Sequence, residues 1–243
     1  MVMVLLENRR NGEICVRWCC LRRKEQSLGR DFCVYTFPVL VNQLIWGCGF
    51  TMFSVILGHM GSDVVAANSF ANVTKNIISC VCLGVGTGIG ILMGNELGQG
   101  KLKRAKFYGR KLCMASVIIG IASGGLLILM SPLIMRMAGN LSSRAYVYLG
   151  QMLYICGFYM IGKSINVAVI DGIFCAGGDT RFGMFCDAAV MWLIVVPVGA
   201  LAAFVWKLPV PVVYFLLSID EVVKLPAVYF HYKKYKWVRN LTS

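Results

Sequence analysis

Six apolar stretches, each long enough for a helix that crosses a bilayer, divide this chain and limit what it can become. They fall at residues 32–57, 64–97, 112–135, 146–176, 182–206 and 210–232. About 20 mostly apolar residues cross a hydrocarbon core as an α-helix, which satisfies its own backbone where water is absent. Composition agrees: 14% of the 243 residues are charged, 58% are hydrophobic and the mean hydropathy is +0.71. A soluble domain carries about 25% charged residues. The expected fold is all-α and integral to the membrane, a six-transmembrane-helix bundle. The second and fourth stretches exceed one span and are expected to tilt or protrude. Pro38 falls near the entry of the first, Pro132 marks the end of the third, Pro197 kinks the fifth and Pro226 lies near the exit of the sixth.

The net charge of +13 is segregated into the short connections. The arm before the first stretch, the loop after the second, the loop after the fourth and the tail together hold 18 of the 24 Lys and Arg residues. The opposite connections hold three, Arg136, Arg144 and Lys207, and the last three, Lys75, Lys163 and Lys224, fall inside spans. Cytoplasmic loops carry the excess of Lys and Arg, so both ends are expected in the cytoplasm of a multi-pass cell-membrane protein. A basic soluble protein would suggest nucleic acid, but this distribution fits a lipid surface and no nucleic-acid partner is expected. Three segments follow: a basic cytoplasmic arm at 1–30, a transmembrane lobe at 31–232 and a basic cytoplasmic tail at 233–243. Tyr146, Trp206, Tyr232, Tyr235 and Trp237 fall at the expected interfaces, whereas Trp46 and Trp192 read as packed or pore-facing. Asn140-Leu141-Ser142 is a glycosylation sequon on the outer face, a weak three-residue match.

The eleven cysteines mostly sit inside apolar stretches, where they read as reduced packing residues. Residues 1–6 are too short an apolar run for a signal peptide. Two histidines, no Gly-x-Ser-x-Gly, no His-Glu-x-x-His and no phosphate-loop lysine leave no enzyme constellation, and no cofactor or confident metal site is expected.

Polar residues inside the membrane are costly and mark function. Asn42 and Gln43 lie one turn past Pro38, and Asn68, Asn72, Lys75 and Asn76 share much of one face of the second stretch. Lys163, Asn166 and Asp171 punctuate the fourth; Lys163 and Asp171 are about two turns apart on nearly one face and should line a cavity together. Asp187 is early in the fifth stretch. Glu221 and Lys224, at i and i+3 in the sixth, are expected to pair as a structural bridge. Gly86, Gly90, Gly94 and Gly98 recur every fourth residue, with Gly84 and Gly88 in an adjacent row. Such a smooth face suits close static packing or, in a rocking transporter, sliding.

The segments FPVLVNQLIWGCGFTMFSVILGHMG (37–61), GVGTGIGILMGNELGQGKLKRA (84–105), AGGDTRF (176–182) and KKYKWVRNLT (233–242) together resemble the C-terminal half of the multidrug and toxic compound extrusion (MATE) transporters. The resemblance covers nearly everything from about Asp31 onward. It implies one lobe of a twelve-helix transporter that exchanges Na+ or H+ for organic cations or other drugs by alternating access. Gln43 stands where many relatives carry a glutamate, Lys163-Ser164 where some carry a carboxylate, and Cys175 where arginine is common. Neutral oxygens of Asn42, Gln43 and Asn166, or the Asp171 carboxylate, are the remaining ligands for a coupling ion, with Na+ expected near Asn42, Gln43 and Asp171.

The expected function is secondary active transport, a cation-coupled multidrug antiport. Asn42, Gln43, Trp46, Lys163, Asn166 and Asp171 are the expected substrate- and ion-binding residues. Partners are the bilayer, small organic cations and an N-terminal lobe or a second copy of the chain, since transporter sites form between repeats. The unmatched first thirty residues favour a truncated chain. Two alternatives stay open: a flippase for lipid-linked precursors, and a membrane scaffold that moves no solute.

Overall fold

A computed structural model of the chain describes residues 26–139, 141–235 and 237–238. Its contacts divide the chain into Met1–Phe37 and Pro38–Ser243, and the account below concerns the second unit. Asn140 of the sequon and residues 1–25 of the basic arm lie outside the described residues. Helix α1 (Gln26–His59) begins within the last residues of the expected basic arm.

Helix α2 (Ser62–Gly98) follows, then α3 (Leu102–Met137), α4 (Ser143–Phe174) and α5 (Thr180–Val205). With the Leu40–His59 part of α1, these helices are long and apolar enough to cross a membrane. The sixth apolar stretch is not one continuous helix. It forms two helices, α6 (Val210–Ser218) and α7 (Asp220–Lys233), that meet at Ile219. The break falls beside Asp220, Glu221 and Lys224, three ionisable groups that turn inward and are buried.

Helix α3 also begins ten residues earlier than expected, at Leu102. Lys103, Arg104, Lys106, Arg110 and Lys111 are therefore helical rather than in a loop. Pro132 does not end α3, which continues to Met137.

Helix α4 is the axis of the unit. It packs against α2 and α3 on one side and against α6 and α7 on the other, and it is the most buried of the spanning helices. Glycines allow those close approaches. A Cβ on Gly124 of α3 would lie 2.3 Å from the Gly157 carbonyl oxygen of α4. Residues Val167–Phe174 of α4 wind into π-helical turns directly after Asn166. There α4 meets the glycine face of α2: a Cβ on Gly172 would sit 3.0 Å from the Gly86 carbonyl oxygen. Gly84, Gly88 and Gly94 have nothing within 4 Å of such a Cβ, so the stripe is a packing face at Gly86 and Gly90 and open elsewhere.

The periphery is apolar and uncovered. Leu129, Met137 and Leu193 are each more than three-quarters exposed. Lipid, not water, is the medium that accepts such a surface.

The connections sort to two ends. At one, the start of α3, the turn between α4 and α5 and the tail converge. Trp237 stacks on Tyr232 against Gly109 and Gly177, Lys106 lies over the Tyr235 ring and His231 pairs with Asp179 at 2.7 Å. At the other, Ser142 donates to Asp63 at 2.7 Å and His59 packs on Phe204. Lys103, Arg104, Lys106, Arg110 and Lys111, in the first turns of α3, lie at the first end, and Arg136 and Arg144 lie at the other. Trp237, expected at the interface, is fully buried at this end, where the chain turns at Tyr235 (φ 50) and the indole sits against Gly109 and Gly177.

Cys48, Cys80, Cys82, Cys113, Cys156, Cys175 and Cys186 are free, with Cys82, Cys156 and Cys186 buried and Cys48 and Cys80 exposed.

Candidate functional site: a polar cavity within the lobe

An all-apolar helix bundle has no reason to keep ionisable groups inside unless they serve one another or a ligand. In this lobe they surround a cavity of about 330 Å³ between α1, α2, α4, α5 and α7. Asn42, Gln43, Trp46, Lys163, Asn166 and Asp171 all line it, together with Lys75, Asn76, Tyr159, Asp187, Glu221 and Lys224. Helical spacing places them. Lys75, Asn76 and Ser79 share one face of α2, and Tyr159, Lys163, Asn166 and Ile170 follow one face of α4 at i+3 and i+4 steps.

The α7 groups organise the wall. The Lys224 ammonium lies 2.9 Å from Asp187 and 3.7 Å from both Asp220 and Glu221. Glu221 also meets Lys163 at 3.2 Å, accepts from the Tyr159 hydroxyl at 3.2 Å and accepts from the Asn166 amide at 2.7 Å. That amide is also 2.7 Å from the Glu221 carbonyl oxygen, which locks α4 to α7. Asn42 of α1 donates to Asp187 at 3.2 Å.

The expected Glu221–Lys224 bridge exists, but as one contact in a network that joins α1, α4, α5 and α7. Burying one charge without partners is prohibitive, and the network gives each of these acids at least one ammonium partner. Lys163 and Asp171 line the cavity together, yet Lys163 turns to Glu221 and its ammonium rests 4.5 Å over the Trp46 ring. Asp171 is exposed in the cavity wall. Gln43 is exposed, and Trp192, at the far edge of α5, bonds the Ile45 carbonyl oxygen at 3.4 Å.

Two further spaces adjoin the cavity. One of about 30 Å³, roughly the room of a single water, shares Trp46, Lys75 and Tyr159 with it and reaches Leu57 and Ser218. The other, a groove of about 480 Å³, shares Leu83, Val167 and Asp171 and runs past Gly90 to Cys175 and Ala176 at the basic end. Lys75 stands at the first junction and Asp171 at the second. The Asn42 Oδ1 and Asn166 Oδ1 atoms are buried without a hydrogen-bond partner among the described residues.

Tyr159, Asp187, Glu221 and Lys224 were not among the expected site residues. Asp187 and Glu221 carried a signal, since each is an acid inside an apolar span. Tyr159 carried none, because one tyrosine among ten looks the same whether it packs or donates to a carboxylate. Three or more His, Cys, Asp or Glu side chains arranged to hold a metal ion do not occur among the described residues.

A model of the MatE family matches residues 38–201. The probable multidrug resistance protein NorM of Pasteurella multocida (strain Pm70) is 22% identical over 164 residues, 67% of this chain and 35% of that protein. Its namesake from Haemophilus ducreyi is 25% identical over 154 residues, 63% of this chain and 33% of that protein. The chain therefore spans about a third of the length of these curated relatives. Among solved structures, the Vibrio cholerae MATE transporter VcmN in its bent form superposes on 99% of this chain and 54% of its own, with a TM-score of 0.82 at 14% identity. A MOP superfamily transporter from Pyrococcus furiosus superposes on 84% of this chain with a TM-score of 0.71, also at 14% identity. At that identity the superpositions establish a shared fold.

Proposed function

The chain belongs to the MatE family of membrane transporters, and on that premise we propose that it forms one lobe of a cation-coupled antiporter for small organic molecules. The observation that carries the reading is the row of three adjoining spaces along α2 and α4, with ionisable groups at both junctions. A half-pathway of this kind inside a lobe is what alternating access needs on each side of a rocking interface.

The coupling cation, Na+ or H+, is read as a transported partner of the lobe. Asn42 Oδ1 offers an oxygen with no partner among the described residues, and Asp171 offers a carboxylate outside the ion-pair network. The buried acids Asp187, Asp220 and Glu221 are already held by ammonium groups, so they fit scaffolding better than ion capture. If the inward ion and a positively charged group on the outward molecule compete for Asp171, their movements become mutually exclusive, which is antiport. The second lobe would come from an N-terminal half or another copy of the chain, and both termini would lie in the cytoplasm.

The test is dye movement in proteoliposomes under an imposed Na+ or H+ gradient, with the chain assembled with its complementary lobe. Gradient-dependent efflux is expected, and Asp171→Asn should reduce it at least about 10-fold, the scale of one lost charge-assisted contact. Dye movement that ignores both gradients would sink the antiport reading.

A further inference from the structure

The cavity's charges are unequally partnered. Lys224 touches three carboxylates and Lys163 touches one. Lys75 has no carboxylate within ion-pair distance among the described residues. Its ammonium lies 4.9 Å from the Tyr159 ring centroid and 5.3 Å from that of Phe50. Aromatic faces attract an ammonium, but less than a charge-assisted hydrogen bond does. This lysine sits inside a membrane lobe, at the junction of the 30 Å³ and 330 Å³ spaces. Asn72 and Asn76, at i−3 and i+1 on the same helix, bring amide groups to the walls of the same spaces. The α2 wall is thus rich in donors and lacks an anion. Asp187, Asp220 and Glu221 are turned to Lys163 and Lys224, which lowers the repulsion that an incoming anion would meet from them.

We propose that Lys75 docks a carboxylate carried by the molecule that the cavity holds, with that molecule's aromatic body between Trp46 and Tyr159. The proposal rests on the reading of this cavity as the substrate site and names a chemical class for it: aromatic carboxylates. The ligand's carboxylate completes the lysine's coordination, while Tyr159, one of the two rings that now hold the ammonium, becomes one wall of the slot and Trp46 the other.

The experiment uses the purified full chain in phosphatidylcholine nanodiscs and two probes, 2-naphthoate and its methyl ester, matched except for charge. Binding read by fluorescence should favour the acid at least about 10-fold, one charge-assisted hydrogen bond. Lys75→Met should bring the two probes to equal affinity, and Lys75→Arg should keep the preference. Equal affinities in the unaltered chain, no binding of either probe up to its solubility, or a preference that survives Lys75→Met at unchanged Tm would each overturn the proposal. The comparison within the unaltered chain decides the matter if Lys75→Met does not fold. Nanodiscs containing phosphatidylglycerol separate a soluble carboxylate from a lipid phosphate. The preference should persist there, and its loss would give Lys75 to the lipid and end the proposal. No ion gradient enters this assay. Selective binding without gradient-driven transport would therefore sink antiport alone, and transport without selectivity would sink this proposal alone.

Discussion

Lys224 shows how a membrane lobe tolerates three acids drawn together in its interior. It is 1% exposed, and its ammonium reaches Asp187, Asp220 and Glu221 on two helices. Lys224→Met leaves those carboxylates buried with only Lys163 and neutral donors beside them. Removing one partner of a buried ion pair costs about 3–5 kcal/mol, so the variant should unfold at a clearly lower temperature in detergent. Tyr159→Phe is the milder control. It removes one donor from Glu221, worth about 1 kcal/mol. If the two variants shift thermal unfolding equally, Lys224 is not the hub of the network. The charges themselves were legible in the sequence, as interruptions of apolar spans. Their pairing was not, because Glu221 at i relative to Lys224 at i+3 names one local bridge and says nothing of Asp187, 37 positions away in sequence.

Helix contacts carry the next level. Where α2 meets the π-helical turns of α4, a Cβ on Gly172 would lie 2.9 Å from Ile89 Cγ2 as well as close to the Gly86 backbone. Gly172→Ala must push two long helices apart, and overpacking of this kind costs about 1–3 kcal/mol. Gly94→Ala has open space and should be neutral or gain up to about 1 kcal/mol from helix propensity. Thermal unfolding of the pair checks this, and equal losses would mean that the whole stripe is packed. At the basic end a Cβ on Gly177 would fall 2.3 Å from the Trp237 carbonyl oxygen, and Trp237 is itself fully buried. Gly177→Ala and Trp237→Ala should therefore share one phenotype, a tail released from its seat. Limited proteolysis from the basic end should then cut near Tyr235 in both variants and slowly in the unaltered chain. The Ala-Gly-Gly-Asp-Thr segment thus has local reasons: Gly177 admits the indole, Gly178 (φ 74) makes the turn and Asp179 pairs with His231. The six stretches were legible as helices from their length, but the division of the last at Ile219 was not, since its apolar average hid an inward-turned charged segment.

At the scale of the whole molecule, charge and shape agree on an axis. The described basic connections meet at one end of the Pro38–Ser243 unit, while Arg136, Arg144 and Lys207 belong to the other. If the basic end is cytoplasmic, a green fluorescent protein fused after Ser243 should fluoresce and an alkaline phosphatase fused there should be inactive. The reverse pattern would refute the orientation. The exposed apolar surface of α3 and α5 sets the medium. The cavity row sets what the lobe offers to a partner lobe, a half-open route with a lysine at one junction and an aspartate at the other.

The sequence by itself determined the medium, the helical class and the family resemblance, because each depends on residue identity along the chain: apolar length, charge placement and short motifs. It also carried the six side chains that come to one cavity, since an ionisable or amide group inside a span stands out wherever it points. Only the tertiary structure decided who partners whom. Lys163 chose Glu221 over Asp171, Trp237 was seated between Tyr232 and Gly177 at the basic end, and Lys75 was left facing rings instead of an acid. Those outcomes depend on distances between helices far apart in sequence, and those distances are set by where glycines let backbones meet.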